Sequence, residues 1–444
     1  MGPRLPIPAV ADTVSCLNAG SAVRPKALIE VPGARPALGP TGLRRGPLVF
    51  AVEDTTAQLT WLGTLLQSDR GPAGVQRCET DPDATITARD LGSGDILGAR
   101  PYLDGSGSIE LAGLPPASSS RVALDVDGRP AGCVRLTTMA PLGAELGRFA
   151  TLSDLHLGLD VFGLRGRMFE PQPTSPLGCD PPRADAGPIH LRAASAALDQ
   201  LNAWGAGHLF IKGDLVDRST PAAWALAGHL LDLPRPPATV MSGNHEQNGA
   251  GMMSPVDGAA AVGIDAVHPA RRVDLPGLSV LCVDTIRPGA HGGRVTDEVG
   301  AAAIELARAA PNPVMVLTHH PIERFDHAWS YPPGVPRHQG EALLRRLADV
   351  CELLLVSSGH THSHRLRTVA GVATTEVGSP KDFPGVWAGY TIAEGGVRQV
   401  LRRVDSPQVN RWLDHTRHAV GGVWGRWSVG RLADRSLQVR RVGS

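Results

Sequence analysis

The stretch Arg148-Phe149-Ala150-Thr151-Leu152-Ser153-Asp154-Leu155-His156 is a short apolar run that ends in a carboxylate and an imidazole two residues apart. The same grammar returns four times. HLFIKGDLVD occupies 208–217, ATVMSGNHE 238–246, VMVLTHHP 314–321 and LLLVSSGHTH 353–362. Each run has the length and β-branched content of a buried strand. Helix-compatible segments lie between them, at Leu191 to Trp204, Pro221 to Leu231, Thr296 to Ala310 and Gly340 to Val350. Strand alternating with helix predicts an α/β fold. In such sheets, polar groups just past the strand C-termini form the site.

The five polar clusters are Asp154-x-His156, Gly213-Asp214-x-x-Asp217, Gly243-Asn244-His245-Glu246, His319-His320-Pro321 and Gly359-His360-x-His362. Carboxylate, imidazole and amide together suit borderline divalent metals, and there are enough ligands for two ions. In an extended Asp-x-His the two side chains share a side and can converge on one ion. The glycines before Asp214, Asn244 and His360 would let the backbone turn sharply beside a metal. Taken singly, each cluster has a plainer reading, as a hydrogen-bonded imidazole or a loop cap. Five in one order, each ending an apolar run, point to one site.

Working outward, residues 1–45 are rich in Pro, Gly and Ala without period and read as an irregular arm. Over 46–141 the pattern alternates: Ala57, Leu59 and Trp61, then Ile109 and Leu111, then Val122, Leu124 and Val126 before the turn at Asp127-Gly128. This predicts a small all-β sandwich of half-buried strands. The segments AQLTWLG, IELAGLPP and CVRLTTMAP resemble a fibronectin type III domain, although serines 118–120 stand where such domains usually carry a tyrosine. Residues 142–404 carry the α/β pattern. Within them, Gly158 to Ile189 is a Pro/Gly-rich insertion with Arg165, Arg167, Arg183 and Asp185, open to reading as a lid or a surface loop. The tail 405–444 is rich in arginine and holds Trp412, Trp424 and Trp427. Arginine with aromatics can stack on a nucleobase, but the VWGRWSVGRL alternation reads as strands of a closing hairpin.

Composition narrows the partners. The chain has 444 residues, with 43 basic and 43 acidic side chains. That balance disfavours a nucleic-acid holder or an anionic-membrane binder. No apolar run reaches membrane-span length, and the first 20 residues make a poor signal peptide. Six scattered cysteines without C-x-x-C exclude a zinc ribbon and suggest reduced thiols in a cytoplasmic protein. A small-molecule substrate is the expected partner, and the sequence carries no signal for oligomeric state.

From about Phe149 to Val404 the motifs resemble the calcineurin-like metallophosphoesterase superfamily. The resemblance implies a four-layer αββα sandwich, here preceded by the small β domain. It implies two divalent metal ions (Mn, Fe or Zn): Asp154, His156 and His362 on the first, Asn244, His319 and His360 on the second, Asp214 on both. His245 would be the catalytic histidine and Asp217 its orienting partner. His320 would stand behind the ligands, while His364, His327 and His338 read as solvated loop histidines. Purple acid phosphatases also place a fibronectin-like domain first, but carry an iron-binding tyrosine where Asp217 stands. Protein Ser/Thr phosphatases pair two arginines on a phosphomonoester; Arg218 matches one, and Ser242 replaces the other. TLSDLHLG with HHP and GHTH looks most like bacterial class III cyclic-nucleotide phosphodiesterases. Two ions about 3.5–4 Å apart can hold an attacking hydroxide between them and clamp an in-line displacement at phosphorus. The expectation is phosphodiester hydrolysis, with a phosphomonoesterase as the alternative and a nuclease or a non-catalytic binding module behind it.

Overall fold

The computed structural model describes residues 27–36, 47–62, 84–102, 106–162, 187–232, 236–247, 252–326 and 331–441. The β domain pairs a five-stranded sheet with a three-stranded one. The first runs in the order Ala34–Pro36, Arg129–Thr137, Ser119–Val126, Thr85–Asp90, Ile96–Pro101; the second is Leu48–Val52, Ala57–Trp61, Gly107–Leu111. Leu59, Trp61, Ile109, Val122, Leu124 and Leu136 fill the space between them, as the alternation requires.

Ala57–Trp61 is not half-buried, however; all five of its residues are buried. Its second face lies against the α/β domain. There the Gln58 side chain accepts from the Arg403 amide at 2.9 Å, and Thr60 bonds Ser108 on the neighbouring strand at 2.8 Å. Phe50 and Ala51 of the same sheet contribute to the α/β core.

The α/β region has four layers. An eight-stranded sheet runs in the order Ala27–Glu30, Ser436–Arg441, Gly396–Arg403, Val386–Ala393, Glu145–Leu152, Leu209–Lys212, Ala238–Met241, Ala266–Val267. A six-stranded sheet runs Ala270–Leu275, Leu278–Val283, Val314–Leu317, Leu353–Ser358, Val372–Glu376, Arg365–Val369. Apolar side chains of both sheets, among them Phe149, Phe210, Leu317, Leu355 and Tyr390, form the core between them. Helices Ile189–Ala203, Pro221–Leu231 and Pro407–Thr416 cover the outer face of the first sheet. Helices Asp297–Arg308 and Arg337–Val350 cover the second. Strands buried on both faces need continuous apolar runs, which is why Leu209–Lys212 and Val314–Leu317 lack alternation. No helix among the described residues is long and apolar enough to cross a membrane.

Two expectations are corrected. The arm before residue 46 is not wholly irregular. Ala27–Glu30 pairs with Ser436–Arg441 at the edge of the large sheet, and Ala34–Pro36 pairs with Arg129–Thr137. Such edge pairing is made by backbone and imposes little periodicity on the side chains. The tail is not a strand hairpin either: VWGRW forms a short helix, Val423–Trp427, and Leu432–Arg435 forms another. Among the described residues of the tail, Ser436–Arg441 is the strand. Gly421, Gly422 and Gly430 take positive φ (61°, 80° and 60°) and turn the chain into these helices. Trp424 and Trp427 stand three apart, a helical spacing that the apparent alternation concealed.

Candidate metal centre

Strands Glu145–Leu152, Leu209–Lys212 and Ala238–Met241 are parallel neighbours in one sheet; Val314–Leu317 and Leu353–Ser358 are parallel neighbours in the other. All five polar clusters follow the C-termini of these strands and meet at one rim. Buried Lys212 joins the two sheets beneath it, donating to Ser357 Oγ at 3.0 Å and Ser358 O at 2.6 Å. Burial pulls its ammonium down to about 7.

Five of the candidate ligands sit in the left-handed region: Asp154 (φ 58°), His156 (47°), Asp214 (50°), His360 (71°) and His362 (50°). For non-glycine residues this conformation costs on the order of 1–3 kcal/mol each and persists where surrounding contacts hold it. The contacts are present. The Asp154 carboxylate accepts the His360 amide at 3.0 Å, and Asp214 Oδ1 accepts the His245 amide at 2.9 Å. Gly213 makes the close approach possible, since a Cβ there would lie 2.6 Å from His319 Nδ1.

The side chains converge. His156 Nε2 and His362 Nε2 face each other at 3.0 Å, and His362 Nε2 lies 3.6 Å from Asp154 Oδ1. Asp214 points its two oxygens at different neighbours: Oδ2 is 3.9 Å from His156 Nε2, and Oδ1 is 3.4 Å from His319 Nε2. His319 Nε2 is also 3.2 Å from Asn244 Oδ1. Among the described residues four groupings bring their ligand atoms within 4.8 Å of one another: Asp154, His156 and His362; Asp154, Asp214 and His319; His319, His320 and His360; His156, Asp214 and His245. A buried oxygen–nitrogen set of this kind fits borderline divalent ions.

The outward-facing nitrogens are fixed from behind. His319 Nδ1 donates to Lys212 O at 2.8 Å, His362 Nδ1 to Asp382 Oδ2 at 3.0 Å, and His360 Nε2 to Pro333 O at 3.0 Å. Each bond sets a tautomer that leaves the other nitrogen free for the site. Both ring nitrogens of His320 are already engaged: Nε2 donates to His291 O at 3.2 Å, and Nδ1 accepts from Thr285 Oγ1 at 2.9 Å.

His245 stands beside these ligands with 30% of its side chain exposed. Its Nδ1 lies 3.1 Å from Asp217 Oδ1, and its Nε2 lies 4.0 Å from Asp214 Oδ2. Burial lowers its pKa, but Asp214 and Asp217 outweigh that and lift it to about 10. His156 moves the other way, to about 4, through burial and then the neighbouring charge of His245. Burial opposes charge on His319 as well, yet Asp214 raises it to about 9. A bound cation would take over that proton's task of balancing Asp214. Arg218 is at the rim, 52% exposed, with Nε 4.0 Å from Asp217 Oδ2.

Three contributors were given no role in the sequence reading. Asp382, in the SPKDF segment, orients His362. Glu246, the last residue of GNHE, accepts the amides of Gly243 (2.6 Å), Val216 (2.9 Å) and Asp214 (3.1 Å) and fastens two loops together. The exposed His291 sits 3.5 Å from Asn244, with no motif to mark it. One histidine is corrected: His364 is not solvated but 1% exposed, accepting the Gly378 amide at 3.2 Å. The chain leaving the Gly359–His360–Thr361–His362 turn carries His364 inward under the tail, where its amide donates to Ser428 O at 3.1 Å. His338 is exposed and bonds Asp326 at 2.9 Å. His327 lies outside the described residues, as do 163–186 of the insertion with Arg165, Arg167, Arg183 and Asp185.

Residues 147–364, which hold all of these strand ends, match the sequence model of the calcineurin-like phosphoesterase family. This region is a calcineurin-like phosphoesterase domain. Curated relatives of this chain include a probable cyclic nucleotide phosphodiesterase of Rhodococcus erythropolis, 30% identical over 190 residues, 38% of this chain. A cAMP/cGMP dual specificity phosphodiesterase of Mycobacterium tuberculosis is 26% identical over 258 residues, 55% of this chain. The matches span 56% and 76% of those two relatives. Solved structures similar to this chain include purple acid phosphatase from yellow lupin seeds (TM-score 0.41, 11% identity, 81% of this chain and 72% of that one). PhoD is another (TM-score 0.37, 10% identity, 83% and 96%).

Proposed function

We propose that this phosphoesterase hydrolyses a phosphodiester, with a 3′,5′-cyclic nucleotide the leading candidate, at a centre of two divalent ions. The observation that carries the two-ion reading is the split of Asp214, whose oxygens face His156 on one side and His319 on the other. Asp154, His156, His362 and Asp214 would hold one ion; Asn244, His319, His360 and Asp214 would hold the second. Mn, Fe and Zn all suit this donor set. Bound there, the ions supply Lewis acidity toward water and the phosphoryl oxygens.

The protein's own groups do the rest. Asp217 holds His245 through Nδ1, so the His245 Nε2 proton is aimed into the site, placed to protonate the leaving oxygen. General acid assistance of that kind is worth roughly 10²–10⁴ in rate. Asn244 adds an oxygen ligand without a charge, which preserves the electrophilicity of the second ion. Arg218 offers one guanidinium at the rim, and the buried Ser242 stands where a second would complete a monoester clamp. A single charge-assisted contact favours a monoanionic diester over a dianionic monoester. Both curated relatives are named as cyclic nucleotide phosphodiesterases, which supports the same substrate class.

Chelation should abolish hydrolysis and Mn²⁺ should restore it; metal analysis showing fewer than one ion in fully active protein would overturn the two-ion reading. kcat/KM for an aryl diester should exceed that for the matching monoester, and Ser242→Arg should move the ratio toward the monoester. A tenfold wild-type preference for the monoester, about 1.4 kcal/mol, would leave phosphomonoesterase as the activity.

A further inference from the structure

The tail brings aromatic side chains to the rim of the metal centre. The Trp424 ring lies 6.3 Å, centroid to centroid, from the ring of His362. From His362 the row of rings continues to His156 at 5.0 Å and from His156 to His245 at 4.5 Å. The indole therefore stands at one end of a row of rings whose other end is the histidine assigned to the leaving oxygen. Phe162 packs edge-on against Trp424 at 5.2 Å and Trp427 lies 5.4 Å away. Arg365 sits over the Trp427 ring at 4.7 Å, which adds positive charge to the wall.

Trp424 is also anchored. Its Nε1 donates to Phe383 O at 3.1 Å, while Trp412 Nε1 donates to Lys381 O at 2.8 Å. The two indoles thus bracket Asp382, the residue that orients His362. Bracketing needs only the N–H. The Trp424 ring packs against the core beneath the first sheet's outer helices and nevertheless remains only half-buried. A large, rigid aromatic fixed by its polar edge and only half-buried can offer the accessible part of its ring for stacking.

We propose that Trp424 is the platform on which the planar aromatic arm of the substrate, a nucleobase, stacks while the phosphate occupies the metal centre. This rests on the phosphodiesterase reading and adds the residue that selects the arm. Every base has a π-face, so the platform accepts either purine.

The test is calorimetric titration of adenosine 5′-monophosphate and of inorganic phosphate into Mn²⁺-loaded wild type, Trp424→Ala and Trp424→Phe. Trp424→Ala should weaken the nucleotide tenfold or more, about 1.4 kcal/mol, and leave phosphate within twofold. Trp424→Phe, which keeps a ring but loses the N–H, should retain most of the nucleotide affinity. Parallel weakening of both ligands would make Trp424 only a support for Asp382 and overturn the proposal. So would Trp424→Phe binding as poorly as Trp424→Ala, or wild type binding the nucleotide no better than phosphate. Turnover of an aryl diester, measured separately, tests the phosphodiesterase reading. Its failure beside an intact nucleotide preference would remove the reaction and keep the platform.

Discussion

At the scale of single residues, the centre depends on side chains that touch no ion. Asp382 fixes the His362 ring from behind at 3.0 Å. Partners of this kind typically cost 10–100-fold in metal affinity or activity when lost, and Asp382→Ala should weaken Mn²⁺ binding by about that factor in a metal titration. An unchanged affinity would show that the His362 ring is held by packing alone. His364 makes a different prediction. Burial and then the charge of Arg435 push it down to about 3, against an ordinary 6.5. Between those values the unfolded chain binds a proton that the folded chain refuses, so stability falls as pH drops from 6.5 toward 3. His364→Asn, which keeps an acceptor for the Gly378 amide, should flatten that loss by on the order of 2–3 kcal/mol at pH 4.5. Urea denaturation at pH 7.5 and 4.5 checks it; equal acid sensitivity in variant and wild type would reject it. The residues that converge on the centre were legible because each is polar at the end of an apolar run. Asp382 was not, because it acts through a histidine and its own segment has no period.

At the scale of elements, the loops after Lys212 and Met241 are pinned together by one carboxylate. Glu246→Ala would leave the amides of Gly243, Val216 and Asp214 without their acceptor in a buried place. At about 1–3 kcal/mol for each orphaned donor, the loss should reach about 3 kcal/mol or more. Glu246→Gln, which retains one acceptor oxygen, should lose less. Equal stability of the alanine variant and wild type in urea would show that the loops need no such pin. The five site-bearing strands were readable because burial on both faces leaves an apolar run of strand length. The edge strand Ala27–Glu30 was hidden because pairing at an edge is made by backbone. The tail helices were hidden because a two-residue and a three-residue spacing of aromatics and valines overlap within ten residues.

At the scale of the molecule, the β domain is locked to the phosphoesterase by a buried arginine. Arg435, 2% exposed, donates to Val49 O and Phe50 O in the β domain and to Val429 O and Gly430 O in the tail. Arg398 pairs with Asp54 at 2.9 Å, and Arg402 pairs with Glu53, across the same boundary. The two parts should therefore melt in one calorimetric transition. Arg435→Met, which removes the four hydrogen bonds of the buried guanidinium, should lower the midpoint and split the transition. A single transition at an unchanged midpoint would argue that the boundary is held by apolar contact alone.

The chain reaches the β domain only after laying down Ala27–Glu30 in the large sheet, and returns to that sheet at Glu145–Leu152. The β domain is therefore strapped at both ends, through residues 31–33 and through residues 141–144, and the Arg435 contacts hold it against turning about those two straps. A single protease nick at the exposed Gly143-Ala144 pair would leave the fragments joined through paired strands, and they should travel together on a native gel until denaturant parts them.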